Sequence, residues 1–310
     1  MKFLVILICL TINYLWLKDF DRFDDNWFFK FRRRIEALTE ELASKLSLAW
    51  FLGVVLIYGF PLLVLAVISL LLDERGFGIP TMAIHILVLL VAFDRTQPGK
   101  LASDFIEKLH EGDIEGCLLY LQQKLSVSSS VEIADEAELS RFFSKQLSHR
   151  CFEKMFVMFF WYMLAGPMVI LFCYISYQLR DSHREDQLEA EVKLIVIIIR
   201  VLEWVPLRLL AITFSLAGNF ERCFERVKQS FWDFSGETES ADLLYGYAAC
   251  ALSGQAAVEP EDDSSGQDSE QGARQRRAVE IEALQALLER SQAIWLCMLA
   301  IITIFGMQLA

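Results

Sequence analysis

From Leu48 to Leu72 the chain runs for 25 residues without a charged side chain. A bilayer core about 30 Å thick needs about 20 apolar helical residues to cross it. In hydrocarbon such a segment must be helical, because its backbone can bond only to itself. Two further runs meet the same requirement: Met155–Leu179, with 25 residues, and Ser291–Ala310, with 20. Trp50, Trp161 and Trp295 stand near the start of these runs, where interfacial anchors commonly sit. The chain is 55% hydrophobic with a mean hydropathy of +0.37, and concentration of that excess in long runs points to lipid as the solvent.

Two runs are shorter. Ile79–Phe93 and Phe3–Leu17 each have 15 residues. The first reads as a short or tilted span returning through the turn Asp73–Gly78. The second lacks a small-residue cleavage site after it, so it reads as a retained membrane helix rather than a removed signal. Val192–Gly218 is apolar but carries Lys193, Arg200, Glu203 and Arg208, with Pro206 among them. Each charge at membrane depth costs at least about 2.5–3.5 kcal/mol. The segment is therefore either a broken helix packed inside a bundle or an interfacial helix.

The segments between the runs set the expected topology. Lys18–Ser47 has seven Lys/Arg, including Arg32, Arg33 and Arg34, and Asp94–Lys154 has eight. By the positive-inside rule both are cytoplasmic, and the arginine triplet reads as a topology signal in contact with lipid headgroups. Within Asp94–Lys154, apolar residues recur at three- and four-residue intervals, Gly112 interrupts them, and Ser126–Ser130 reads as a loop. Ser253–Ala278 has six acidic residues and little to bury, a composition that predicts a disordered linker. The expected organisation is an all-α, polytopic transmembrane helix bundle with a small helical cytoplasmic domain. Its parts are an N-terminal membrane helix and basic segment (1–47), a transmembrane hairpin (48–93), the helical domain (94–154), a transmembrane helix with a charged segment and helical region (155–252), the linker (253–278), and a C-terminal helix and span (279–310).

Chemistry is sparse. The net charge of −12 excludes the basic face a nucleic-acid partner requires. The seven cysteines form no CxxC pair and the four histidines are widely separated, so neither a disulfide framework nor a metal centre is expected. No phosphate-binding glycine motif, nucleophile elbow or HExxH occurs. His85 is read as a neutral histidine bonded to a neighbouring helix, with a proton relay as the alternative. The aromatic run Phe156–Tyr162 reads as a lipid-facing or packing surface. The segment of most interest holds Arg200, Glu203, Trp204 and Arg208. Positions 200, 204 and 208 share a helix face, Glu203 lies three residues from Arg200, and Pro206 frees a backbone carbonyl nearby. The arrangement suits either an anionic ligand held by two arginines or a salt-bridged kink.

Glu203-Trp204-Val205-Pro206-Leu207-Arg208 resembles the W-[IV]-P-x-R signature of the superfamily that contains AmpE and the CobD/CbiB cobalamin-biosynthesis proteins. Phe160-Trp161 followed by Gly166-Pro167 is similar to the FW…GP stretch that precedes it there. Glu111-Gly112-Asp113 falls in the expected order, and the resemblance covers essentially the whole chain. The CobD/CbiB branch joins a corrinoid carboxyl to an aminopropanol unit with ATP and Mg²⁺, using the pattern E-[ST]-x-A-E-N-x-x-D. At the corresponding positions this chain has Lys145, His149, Arg150 and Glu153, of which only Glu153 is acidic. Metal–phosphate chemistry needs oxygen ligands, so the chain looks like the AmpE branch, whose members are inner-membrane proteins linked to regulation of β-lactamase induction. That resemblance implies a multi-pass bacterial inner-membrane accessory protein in cell-wall status sensing, with no catalytic residues, metal or cofactor. Its expected partners are the lipid bilayer and a cell-wall-derived ligand or membrane protein. Its ligand-binding candidates are Arg200, Glu203, Trp204, Arg208 and Glu153. The alternative is a small-molecule-binding or catalytic relative of adenosylcobinamide-phosphate synthase.

Overall fold

The computed structural model describes residues 2–15, 26–43, 49–73, 78–93, 98–125, 133, 135–182, 189–231, 239–253 and 266–308. The expected loop at Ser126–Ser130, most of the Asp73–Gly78 turn and the first part of the expected linker lie outside them. Every regular element among the described residues is helical, as the runs predict. In chain order the helices are α1 (Lys2–Leu15), α2 (Asn26–Ala43), α3 (Ala49–Asp73), α4 (Gly78–Ala92), α5 (Pro98–Glu111), α6 (Ile114–Leu125) and α7 (Glu136–Cys151). A π-helical segment, Phe152–Val157, joins α7 to α8 (Met158–Ala165). Then come α9 (Pro167–Asp181), α10 (Glu189–Ala217), α11 (Phe220–Ser230), α12 (Ser240–Leu252) and α13 (Gly266–Gln308).

Local chemistry sets several of these ends. Gly112 stops α5 at φ +73, a left-handed conformation that glycine adopts without steric penalty. Asp113 then caps α6, its Oδ1 accepting from the Gly116 N–H at 2.8 Å. Asp135 caps α7 by accepting from the Ala137 N–H. The run Met155–Leu179 is not one span. Gly166 sits at φ +81 and ends α8, its N–H donating to the Tyr162 carbonyl. Pro167 then opens α9 at a position where its missing N–H costs nothing. Among the described residues two helices are long and apolar enough to cross a membrane, Phe51–Leu72 within α3 and Gln271–Phe305 within α13. The helices α1 and α4 are apolar and shorter.

The chain forms two compact units, each drawn from separate stretches. Unit 1 comprises 1–95, 157–204 and 303–310. In it α9 packs against α3 and α4, α1 against α4 and α8, and α2 against α3. One side of α3 buries Val54, Ile57, Tyr58 and Leu65, while Phe51, Leu56, Phe60, Leu63 and Val67 are exposed. Arg32 departs from the headgroup reading given to the triplet. It is buried and bonds Glu36, the Ser182 hydroxyl and carbonyl, and Glu191. Arg33 and Arg34 are exposed. Arg32 thus clamps α2 to the end of α9 and the start of α10.

Unit 2 comprises 96–156 and 205–302. Here α7 packs against α5, α6 and α12, and α11 against α12. Phe105 and Phe143 stack in the core with centroids 3.9 Å apart. Two expectations change here. The first concerns the linker: α13 begins at Gly266, so 266–278 is helical rather than disordered. Arg274 and Arg277 both reach the Glu136 carboxylate at 2.8 Å, and Ala278 is buried. Docking through two guanidinium groups orders a segment whose composition alone favours solvent. The second concerns Trp295, which is buried instead of lying at a lipid interface. Its indole N–H donates to Thr213 Oγ1 at 3.0 Å, and its ring meets Phe156 edge-on.

Candidate functional site

The helix α10 carries the motif and runs through Pro206 without a break. Proline has no N–H, and its ring crowds the carbonyl four residues earlier. That carbonyl belongs to Leu202. In unit 1 the Trp161 indole N–H donates to the Leu202 oxygen at 2.9 Å. The tryptophan of the FW stretch therefore satisfies the acceptor that the proline of the WVPLR stretch releases. This explains physically why the two motifs belong together, and it gives the half-buried Trp161 a helix-packing role.

Glu203 follows Leu202 and is buried. Its Oε1 accepts from the Tyr177 hydroxyl at 3.1 Å. Tyr177 is itself fully buried in α9, and Arg180 lies over its ring at 5.2 Å from the centroid. One residue before Tyr177, the buried Ser176 hydroxyl accepts from the Tyr58 hydroxyl at 3.0 Å. The second half of α9 is thus a buried polar seam within an otherwise apolar unit. Sequence reasoning missed it. The signal was the cluster of Tyr174, Ser176, Tyr177 and Gln178 in the last turns of an apolar run. His85 in α4 meets the Tyr162 hydroxyl at 2.9 Å, and Tyr162 also belongs to the aromatic run, most of which is buried.

In unit 2 Arg208 is 6% exposed, and its Nε donates to the Phe231 carbonyl at 3.4 Å. Glu153 is buried in the π-helical segment, with His149 Nε2 at 3.4 Å from its Oε1. A π-turn inside an α-helix is an irregularity often associated with functional positions. Arg200, Trp204 and Arg208 share a face by spacing but not an environment. Arg200 is exposed, Trp204 half-buried and Arg208 buried. Burial thus differs between the two arginines that spacing places on one face. What the structure presents are buried polar groups, each held by specific partners, an arrangement suited to binding or to specifying helix packing.

A family model described as "Regulatory signalling modulator protein AmpE" matches residues 2–259. The chain belongs to the AmpE family. The match takes in α1 to α12, and with them Trp161, Glu203 and Arg208. No curated protein and no solved structure matches the chain. The family's description as a regulatory signalling modulator is consistent with a regulatory accessory role, and the matched range includes the WVPLR segment.

Proposed function

We propose that this AmpE-family chain is a multi-pass bacterial inner-membrane accessory protein that relays cell-wall status to β-lactamase induction. The observation that carries this reading is the family match over residues 2–259. The exposed apolar side of α3 supports the membrane part. Only 22% of the apolar window in α3 is buried, whereas a core helix of a water-soluble protein would be mostly buried, and exposed apolar surface of this size calls for a partner. On this reading Lys18–Ser47 and Asp94–Lys154 face the cytoplasm, following their positive charge. The partners are the lipid bilayer and a cell-wall-derived ligand or membrane protein, and Arg200, Glu203, Trp204, Arg208 and Glu153 are the candidate recognition residues.

A second reading, a small-molecule-binding relative of adenosylcobinamide-phosphate synthase, is favoured by one observation: Glu153 and Glu203 are both buried. Deletion of the gene with complementation separates the two. Under the regulatory reading, the deletion changes inducible β-lactamase expression, and the wild-type chain restores it. An unchanged induction profile refutes that reading. Retention of ATP with Mg²⁺ or of a corrinoid by the purified protein, with muropeptides not retained, selects the second.

A further inference from the structure

The short helix α11 has two unlike sides. Cys223 and Val227 are buried, and Cys223 Sγ lies 3.5 Å from the Tyr247 carbonyl and 3.9 Å from that of Ala211. Arg226 reaches Cys250 Sγ at 3.6 Å. On the other side Phe220 and Phe224 are 52% and 39% exposed, with their rings stacked 5.1 Å apart. Lys228 stands one turn further along the same strip and is exposed.

The turn before α11 fixes its pose. Asn219 caps the helix, accepting from the Arg222 N–H. Its own backbone N–H donates to the Ala251 carbonyl at 2.8 Å, and its side-chain amide to the Ser253 carbonyl. Gly218 is so close to α12 that a Cβ there would lie 2.4 Å from the Ala251 oxygen. The two phenylalanines are therefore held outward by a rigid mounting and are not the loose end of a frayed helix.

What lies against them follows from the neighbouring helices of the same unit. Arg290 is the last charged residue of α13 before an uncharged run to Phe305, so a membrane boundary on this helix falls close to it. Arg290 Nη1 donates to the carbonyl of Ala217, the last residue of α10, at 3.1 Å. Phe220 is three residues beyond Ala217, which at full extension is about 11 Å of chain. The interfacial layer on each side of a bilayer core is about 5–8 Å thick. The exposed apolar side chains Leu209 and Leu216 of α10 also lead, along the chain, into Phe220 and Phe224.

We propose that α11 is an interfacial anchor, its Phe220–Phe224 pair set in the headgroup and upper acyl layer of the bilayer and Lys228 facing lipid phosphate. The proposal rests on the membrane reading above. The polar side of α11 is mixed, with Glu221 and Glu225 beside Arg222, Arg226 and Lys228, and a short amphipathic helix with aromatic residues on one side and a cation at the end of that strip suits this layer. The anchor holds the α10–α11 turn, and α12 behind it, at a fixed depth.

The test is photo-crosslinking of the full-length chain in vesicles of phosphatidylethanolamine and phosphatidylglycerol, with p-benzoylphenylalanine at Phe220, at Leu63 on the exposed side of α3, or at Glu282 on the exposed side of α13. The expected result is a lipid adduct at Phe220 comparable to that at Leu63, and none at Glu282. An adduct at Leu63 with none at Phe220 overturns the anchor and leaves the membrane reading standing. Absence of lipid at Leu63 as well overturns both. The same chain in native membranes supplies the remaining arm, where a protein adduct at Phe220 in place of the lipid adduct overturns the assignment to the bilayer.

Discussion

Trp161→Phe removes one indole N–H and leaves the Leu202 carbonyl without that donor. A net hydrogen bond contributes about 0.5–1.5 kcal/mol, and an orphaned buried acceptor costs about 1–3 kcal/mol. The expected loss is therefore about 1–3 kcal/mol beyond the smaller ring's lost packing, several degrees of Tm for a chain of this size. Pro206→Ala supplies the decisive comparison. Alanine restores a backbone N–H at position 206, which bonds the Leu202 carbonyl in the ordinary helical way. In that background Trp161→Phe no longer orphans an acceptor, so its penalty falls to the packing part alone. The double-mutant cycle should show a coupling of about 1–2 kcal/mol, with the double variant more stable than the sum of the singles predicts. The assay is thermal and denaturant unfolding of the detergent-solubilised protein, with each single variant first shown to fold. Additive penalties, with no coupling between positions 161 and 206, would refute the idea that the indole serves the acceptor released by the proline.

Arg208→Ala should destabilise unit 2 by about 3–5 kcal/mol if the buried guanidinium is part of a charge-balanced set, read as a lowered Tm; unchanged Tm with lost regulatory activity would instead assign Arg208 to recognition. Tyr177→Phe removes one donor to Glu203 and should cost about 0.5–1.5 kcal/mol, the net contribution of a typical hydrogen bond, measured by the same unfolding assay. Gly218→Ala should lower stability, or shift the α11 turn, because the new methyl meets the Ala251 carbonyl; a Tm within error of the parent would contradict that close approach. Burial first, and then the Asp113 carboxylate, push the Cys117 thiol from 9.0 up to about 11. Cys117 should therefore stay unalkylated at pH 8 until the protein unfolds. Because the folded thiol holds its proton more tightly than the unfolded one, its contribution to stability is complete below pH 9.0 and declines as pH rises toward about 11.

The apolar runs and Gly112 made the helices legible, because both signals are local. Pro206 also revealed a freed carbonyl. Its partner was hidden, since Trp161 lies 41 residues earlier and spacing along a helix says nothing about a neighbour. For the same reason tryptophans near the start of apolar runs read as lipid anchors. An apolar window does not distinguish a lipid neighbour from a protein one, and Trp295 and Trp161 found acceptors inside the fold. The stretch before Val279 misled in the opposite direction. Arg274 and Arg277 look solvated in composition, but Glu136, some 138 residues away in sequence from the first of them, draws them into structure. At the candidate site spacing identified a shared face for Arg200 and Arg208 but not its surroundings. Burial on α10 changes along its length, from exposed at Arg200 to buried at Arg208.

The interleaving of the two units has a consequence for biosynthesis. The first four helices of unit 1 emerge from the ribosome before its next stretch, α8, α9 and the first half of α10, and its last stretch, 303–310, follows later still. About sixty residues belonging to the other unit come between the first two stretches. At about 5–20 residues per second that interval lasts several seconds. During it the inward side of α3 has neither α9 nor the Ser176 hydroxyl that Tyr58 will meet. The early helices must therefore wait, half-assembled, for partners still being translated. A nascent chain halted before α9 should accordingly be the species most exposed to the cell's insertion and quality-control machinery.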